Sequence, residues 1–414
     1  MFLKTTRHAL RGLGLGLVFG LGAVSYGAPA SASASSNDKA TSDVKTVHSP
    51  AQSTAGEAVD KAEVDARVRD LMRRPEMIGL SVAIVENGAI TFAKGYGETE
   101  RGGPPVTADT VFRWASVSKG VGAATALLLA EEGHFGLRSP VEAFAPSLDL
   151  AEGLKKMTLE DVLSQRSGVI RNAYDRRIED GQSAKNIRSD FKGVRSVCEP
   201  GQCYSYQNVL FDTVSEMAET VTGLPYKAVV AERIFRPLGM KTASLTLEGL
   251  TRSKSWAKPH NRRGAMYRRV KPTYYRVPAA AGVNSSIVDL ARWMQAQMNE
   301  NSQVVSSGLQ AELQMERIET PRENRNMRRH FHALKNSHYA LGWRTYDFDG
   351  HQIVGHRGAV EGYRAAVLFD PQLDTGVALL WNSSTGRPNG LQLEIFDQVY
   401  GLKKRDWMRL NQKW

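Results

Sequence analysis

Ser116-Val117-Ser118-Lys119 places a hydroxyl and an amine three residues apart at the start of an apolar helical pattern. Residues three apart lie on the same face of a helix, one turn from each other. The free N–H groups and the positive dipole end of a helix N-terminus favour negative charge on a serine oxygen. Removing the lysine from water lowers its pKa, so that it can accept the hydroxyl proton. The tetrad therefore predicts Ser116 as a nucleophile with Lys119 as its base.

The tetrad is a weak signal by itself, because Ser-x-x-Lys occurs at four other places in the chain. Its position distinguishes it, since it opens a long apolar pattern that runs through Leu127 and stops at Gly133, a suitable C-cap. The alternative interpretation is an N-capping serine followed by a solvated lysine.

Tyr206-Gln207-Asn208 is the only Tyr-x-Asn among the 13 tyrosines. A phenol near a cationic lysine ionises more easily and can pass protons on, while an amide two residues later can bind the lysine and a substrate carbonyl. We expect Tyr206 to be catalytic and Asn208 to bind substrate. The alternative is a packed aromatic residue at a helix start, with Asn208 as the N-cap.

His356-Arg357-Gly358 lies in a strand pattern near the C-terminus. A glycine on a strand that lines a cleft lets the substrate backbone approach closely. The next N–H group, on Ala359, can form an oxyanion hole with the N–H of Ser116. We therefore expect His356, Gly358 and Ala359 to bind substrate.

In order and spacing these three elements resemble the serine β-lactamase and penicillin-binding protein family, of the class C type, with its D-alanyl-D-alanine peptidase and esterase relatives. The likeness extends over roughly residues 60–400. The resemblance implies an acyl-enzyme mechanism in which Ser116 is the nucleophile, Lys119 the general base and Tyr206 the third catalytic residue.

The third element departs from the class C pattern, which has Lys-Thr-Gly where this chain has His356, as peptidase and esterase relatives commonly do. A neutral histidine attracts a β-lactam carboxylate less than a lysine does, so we expect esterase or peptidase activity to exceed β-lactamase activity. Arg357 supplies the missing charge if its side chain reaches the cleft. The segment Leu163–Gly168 resembles the helix-ending Ser-Gly segment of the family, with Gln165 and Arg166 where relatives often have His and Thr, and is interpreted as structural.

Residues 60–74 have the period of an amphipathic helix. Two β-rich runs between residues 80 and 93 flank Asn87-Gly88, which predicts a hairpin with a type I′ turn. Helical patterns dominate from about 140 to 320, and Ser286 with Asp289 predicts a capping box in one of them. The predicted helices include Val209–Val221 and Ser286–Met298, and the predicted C-terminal strands are Tyr339–Tyr346, Gln352–Gly355, Arg364–Phe369 and Gly376–Trp381, with a closing helix after Asn389.

Two strands at one end and several at the other predict an α/β (α+β) fold of the β-lactamase/transpeptidase type. An antiparallel sheet is built from both chain ends and flanked by helices, and a mostly helical lobe, roughly residues 140–330, is inserted. A cleft is expected between sheet and lobe.

Residues 1–30 have a basic start, an apolar run and small residues, the layout of a secretory signal peptide. Residues 31–58 are predicted to be a flexible tether, 59–402 the hydrolase domain and 403–414 a C-terminal tail. A periplasmic or secreted location is expected, with no membrane span after signal cleavage. In that compartment Cys198 and Cys203, five residues apart around Pro200-Gly201, are expected to form a disulfide rather than two buried thiols.

The formal net charge is +11, and basic stretches at 252–276 and 322–335 contain or adjoin aromatic residues. Nucleic acid would explain that pattern, but solvated loops facing an anionic envelope are preferred, so no nucleic-acid partner is predicted. His330 and His332 have a spacing that could bind a metal, yet no carboxylate pair or cysteine accompanies them. Neither a metal nor an organic cofactor is predicted.

The sequence thus predicts a serine hydrolase acting on amide, lactam or ester carbonyls, with a β-lactam, D-amino-acid peptide or ester as its small-molecule or peptide substrate. The alternative is a binding module or sensor that is acylated by β-lactams, or merely docks peptidoglycan, without releasing product. The same three motifs are compatible with both.

Overall fold

A computed structural model describes residues 58–267 and 269–411, except the side chain of Arg328. The predicted signal peptide at 1–30, and the tether at 31–58 except its last residue, lie outside the described residues. Within them no helix has both the length and the apolar content to cross a membrane.

The strands are β1 (Gly79–Glu86), β2 (Ala89–Gly97), β3 (Phe112–Arg113), β4 (Asn284–Ser285), β5 (Ile318–Glu319), β6 (Leu334–Tyr339), β7 (Arg344–Phe348), β8 (His351–Val360), β9 (Tyr363–Asp370) and β10 (Thr375–Trp381). The helices are α1 (Lys61–Met72), α2 (Ser118–Glu131), α3 (Leu159–Leu163), α4 (Asp175–Glu179), α5 (Ala184–Arg188), α6 (Thr213–Thr222), α7 (Tyr226–Val230), α8 (Leu247–Thr251), α9 (Pro278–Ala281), α10 (Ile287–Ala296), α11 (Ser307–Gln314), α12 (Pro321–His330) and α13 (Asn389–Val399).

Both ends of the described chain contribute to one antiparallel sheet in the order β2-β1-β10-β9-β8-β7-β6-β5. β1 pairs with β10 from Leu80↔Trp381 to Val85↔Gly376, which joins the strands from the two ends of the chain. The helices between β2 and β5 form the inserted lobe. The predicted fold class is therefore confirmed.

The central sheet is covered on both faces, as the burial of every residue in β1 requires. Val82 and Ile84 pack in a cluster with residues of α1 and α13. Ala83 and Val85 pack in the other, larger cluster with residues of α2 and the lobe. Because successive side chains of a strand point to opposite faces, β1 connects the two layers.

Local sequence signals account for several boundaries. Asn87 and Gly88 have φ values of 49° and 75°, the positive angles of a type I′ turn. Asp60 caps α1 by accepting from the N–H groups of Ala62 and Glu63. Gly133, with φ 84°, follows the end of α2 as predicted.

Other boundaries differ because tertiary contacts override local pattern. The predicted helix at 209 begins only at Thr213. The predicted strand Tyr339–Tyr346 is two strands, β6 and β7, separated by a turn in which Gly342 has φ 74°. Ser286 accepts from the N–H of Asp289, but the Asp289 carboxylate accepts from the Thr242 N–H and hydroxyl, so the capping box is incomplete.

Candidate active site

Ser116 lies in a 3₁₀ turn, Ala115–Val117, immediately before α2 rather than within its first turn. Ala115 has φ 50°, a backbone conformation that a residue with a Cβ adopts at a cost and that recurs at functional sites. The N–H of Trp114 donates to Val283 O at 2.9 Å, which fixes the approach to the turn. The serine is partly exposed, whereas both its neighbours are buried.

Lys119 is fully buried at the start of α2. Its Nζ donates to Asn208 Oδ1 at 2.7 Å and to Ala280 O at 3.1 Å, and it lies 4.7 Å from the centre of the Tyr206 ring. Burial lowers the pKa of Lys119 to about 7, because a charged amine is disfavoured away from water. A substantial fraction of Lys119 is therefore neutral at neutral pH.

The Ser116 hydroxyl lies close enough to the Tyr206 phenol to lower its pKa. Burial nevertheless raises the pKa of Tyr206 to about 12, because it outweighs Ser116 and the charges of Arg344 and Arg171, which lower this pKa. The expectation that the neighbouring lysine eases ionisation of the phenol is therefore wrong. Desolvation is the largest effect, so the Tyr206 phenol stays protonated at neutral pH.

The Tyr206 segment is held by a residue that the sequence analysis took as structural. Gln165 accepts from the N–H of Gln207 at 2.5 Å and donates to Gln207 O at 3.1 Å, so one side chain pairs with both backbone groups. Gln165 is fully buried and has φ 62°. Its contacts lie 42 residues away in sequence, and no spacing rule predicts them.

Cys198 and Cys203 form the expected disulfide in the loop that leads to Tyr206. Gly168, with φ 80°, packs against this loop, and a Cβ there would lie 2.4 Å from Cys198 O. The Ser-Gly segment and the disulfide loop thus support one another.

His356 on β8 is buried, and both of its ring nitrogens have partners. Nδ1 lies 2.9 Å from Arg357 O, so Nδ1–H donates to that carbonyl and Nε2 accepts from the Tyr339 hydroxyl at 3.1 Å. Burial and the charge of Arg344 hold the pKa of His356 well below its usual value, so the ring is neutral. Tyr339, which no motif marked, therefore occupies Nε2 of a histidine that was expected to bind substrate.

Gly358 is required by the close approach of β8 to the Ser116 turn. A Cβ at Gly358 would lie 2.0 Å from Trp114 O and 3.1 Å from the backbone N of Ser116. β7 pairs with β8 only from His351 to Gly355, so this edge of the second half of β8 has no strand partner among the described residues. Ala359 lies on that half and is exposed.

A cavity of about 150 Å³ lies beside Tyr206 and His356. It is lined by Arg171, Tyr206, Glu323, Arg344, Tyr346, His356 and Arg357. The Arg344 guanidinium donates to the Tyr204 hydroxyl at 2.6 Å, and its Nη1 is buried without a partner. None of the three arginines forms an ion pair within the part of the chain that the structure describes. Arg357 is among the lining residues, with its guanidinium 4.6 Å from the centre of the Phe331 ring, and Glu323 is the one carboxylate that lines this cavity.

Asn208 connects Lys119 to a carboxylate that the sequence analysis also missed. The Nδ2 of Asn208 donates to Asp175 Oδ2 at 2.7 Å. Burial raises the pKa of Asp175, while the bond from Asn208 and the charge of Lys119 lower it. The second carboxylate oxygen, Oδ1, is buried and has no partner.

His330 and His332 lie outside this site. His330 ends α12, and His332 packs with its ring centre 4.8 Å from that of Trp407. Across 58–267 and 269–411, no three His, Cys, Asp or Glu side chains are grouped to hold a metal ion.

Two solved structures share this fold. The octameric penicillin-binding protein homologue from Pyrococcus abyssi aligns over 83% of this chain and 78% of its own, with a TM-score of 0.74 and 24% identity. The β-lactamase/D-alanine carboxypeptidase from Pseudomonas syringae aligns over 83% and 99%, with a TM-score of 0.66 and 19% identity.

The β-lactamase family model matches residues 64–399, and the chain therefore belongs to the β-lactamase family. An unguisins hydrolase of Aspergillus campestris is 30% identical over 84% of this chain and 67% of its own length. Protein flp of Staphylococcus aureus is 24% identical over 77% of this chain and 62% of its own length.

Proposed function

We propose that this chain is a serine hydrolase that forms an acyl-enzyme on Ser116, with Lys119 as general base and Tyr206 as proton donor. The observation that carries the proposal is the fully buried Lys119, three residues after Ser116 at the start of α2, whose Nζ lies 4.7 Å from the centre of the Tyr206 ring. Burial lowers the pKa of this lysine to about 7. A neutral amine accepts a proton, and a protonated phenol gives one up. The hydrolase and carboxypeptidase names among similar proteins support the same reaction class.

In the proposed cycle Ser116 Oγ attacks the carbonyl carbon of an amide, lactam or ester, and its proton passes to Lys119, directly or through Tyr206. The N–H groups of Ser116 and Ala359 hold the oxyanion. The bond to the leaving group then breaks while Tyr206 protonates that group and recovers a proton from Lys119. Water, activated by the same pair, later attacks the acyl carbonyl and frees Ser116.

We infer that the leaving group of the substrate carries an anionic group. His356 is neutral and both its nitrogens are occupied, so the charge that a lysine would offer comes instead from Arg344 and Arg357 in the adjoining cavity. A guanidinium without a carboxylate partner suits a substrate carboxylate. Neutral esters, which lack this anionic group, still allow the acyl-transfer reaction to be followed.

We propose an exported, periplasmic or secreted protein with the domain limits predicted from the sequence. The Cys198–Cys203 disulfide supports export, because such bonds persist in oxidising compartments.

The test is covalent labelling of the purified chain with a fluorescent fluorophosphonate and a fluorescent penicillin. Ser116→Ala should abolish labelling by both, a loss of at least about 10³-fold, because it removes the hydroxyl that the proposed base, Lys119, activates. Ser189→Ala is the matched control, since Ser189 and Lys192 repeat the tetrad spacing on an exposed surface. Labelling that survives in Ser116→Ala contradicts the proposal. A burst of product without steady turnover in the wild type would favour the non-turnover binding module.

A further inference from the structure

Asp175, Asn208 and Lys119 are linked by two hydrogen bonds. Asn208 and Lys119 belong to the sequence motifs, whereas Asp175 lies outside them. We propose that Asp175 is a positioning residue, which orients the amide of Asn208 and sets the proton affinity of Lys119. The inference rests on the proposed role of Lys119 as the base that activates Ser116.

The first part of the argument is directional. A side-chain amide has one accepting and one donating end, whereas an ionised carboxylate only accepts. Asp175 Oδ2 lies 2.7 Å from Asn208 Nδ2, so the oxygen end of the amide faces Lys119 Nζ, also at 2.7 Å. If the oxygen and nitrogen of the Asn208 amide exchanged places, its N–H groups would face the N–H groups of the Lys119 ammonium, and no hydrogen bond could form. Asp175 therefore determines which end of Asn208 meets the base.

The second part concerns charge. Asp175 and Asp212 raise the pKa of Lys119, whereas burial, the largest effect, and Arg344 lower it. The Tyr206 ring and the neutral His356 complete the titratable surroundings. Lys119 itself forms no ion pair among the described residues.

The two carboxylates near Lys119 differ in their ion pairs and hydrogen bonds. Asp212 forms an ion pair with Arg188 and accepts from the N–H of Ala279 at 2.8 Å. Asp175 forms no ion pair among the described residues, and its Oδ1 has no partner. Glu179 raises and Arg171 lowers the pKa of Asp175 through charge alone. Asp175 is therefore the carboxylate whose charge is free to act on the base.

The backbone before Asp175 is held against the catalytic segment. Asn172 and Tyr174 have φ values of 54° and 61°, and two such residues on either side of Ala173 indicate a conformation imposed by surrounding contacts. The Asn172 N–H donates to Tyr206 O at 2.8 Å, and the Ala173 N–H donates to the Gln207 side chain at 3.1 Å. These bonds fix Asp175, at the start of α4, relative to Asn208.

The experiment measures the second-order rate at which a fluorescent fluorophosphonate labels Ser116 between pH 5 and 9 in wild type, Asp175→Asn and Asp175→Ala. A base must be neutral, so the rate rises with pH through the pKa of Lys119. Asp175→Asn removes the charge but keeps an oxygen that accepts from Asn208. The rising part of its pH–rate profile should move to lower pH by about half a unit to one unit, because the pKa of Lys119 falls when the negative charge is removed. This shift is smaller than the loss of a direct ion pair would give.

Asp175→Ala also removes the acceptor that orients the amide, so its plateau rate should fall roughly tenfold below that of Asp175→Asn. Asp180→Asn is the matched control, because it removes the same charge from the exposed end of α4, and its profile should equal that of wild type.

The outcomes separate this inference from the function on which it rests. If wild type is labelled at Ser116 but Asp175→Asn loses rate equally at every pH, or keeps the wild-type profile, Asp175 does not act on the base and the inference is overturned. If wild type is not labelled at Ser116, the proposed function itself is wrong.

Discussion

Burial shifts the pKa values of the two groups proposed to transfer protons, Lys119 and Tyr206, in opposite directions. Desolvation disfavours the charged form of each group, so it lowers the pKa of Lys119 to about 7 and raises that of Tyr206 to about 12. One physical cause thus produces a base that is partly neutral and an acid that is protonated at the same pH. The assignment of roles follows from the environment rather than from the residue types alone.

This pair of shifts predicts the pH dependence of ester hydrolysis. kcat/KM should rise with an apparent pKa of about 7, as Lys119 loses its proton, and then stay level to pH 10, because Tyr206 does not ionise in that range. The measurement is kcat/KM for p-nitrophenyl butyrate over the range in which circular dichroism shows the protein folded. An alkaline limb between pH 8 and 10 would mean that the phenol ionises and that desolvation does not dominate.

At this scale the sequence located residues whose spacing is local and missed those that act across the fold. Ser116 and Lys119 are one helical turn apart, and Tyr206 and Asn208 share one segment, so motifs find them. Asp175 meets Asn208 across 33 residues and Tyr339 meets His356 across 17. Only folding brings these pairs together.

At the scale of elements, the site depends on how closely β8 approaches the 3₁₀ turn that holds Ser116. Periodicity predicted the strands and the long helix after Ser116, because hydrophobic spacing follows backbone geometry. It could not predict the 3₁₀ turn or the break between β6 and β7. Both arise from contacts with other elements. Gly342, in the turn between β6 and β7, packs so closely on α2 that a Cβ there would lie 2.4 Å from Lys119 O.

Gly358→Ala should therefore inactivate the site while the rest of the fold persists. The new Cβ would meet Trp114 O at 2.0 Å, so β8 must move away from the Ser116 N–H and open the proposed oxyanion hole. We expect a loss of about 10²-fold or more in kcat, as for the removal of one oxyanion donor. Gly153→Ala is the control, because a Cβ there has nothing within 4 Å. Full activity in Gly358→Ala, with an unchanged thermal midpoint, would contradict this account of β8.

At the scale of the whole molecule, the charge distribution predicts a preference among substrates. The chain carries 54 Lys and Arg against 43 Asp and Glu, and at the cleft this excess is concentrated as three arginines around one glutamate. A low-dielectric cleft lined by one sign of charge attracts ligands of the opposite sign. The sequence analysis expected the neutral His356 to weaken such attraction, but it could not place Arg344 and Arg357 beside the cavity.

Two acetate esters test this preference, with leaving phenols that carry either a meta-carboxylate or its methyl ester. Wild type should favour the carboxylate, and Arg357→Gln should lower kcat/KM for it about tenfold while changing that of the methyl ester little, since a hydrogen bond to a charged group contributes about 1.5–3 kcal/mol. Added salt should reduce the wild-type preference, because partly exposed charges are screened. Arg138→Gln removes an equal charge from an exposed site remote in sequence and should leave both esters unaffected. Equal losses for the two esters in Arg357→Gln would assign this arginine to the structure of the cleft rather than to the recognition of an anion.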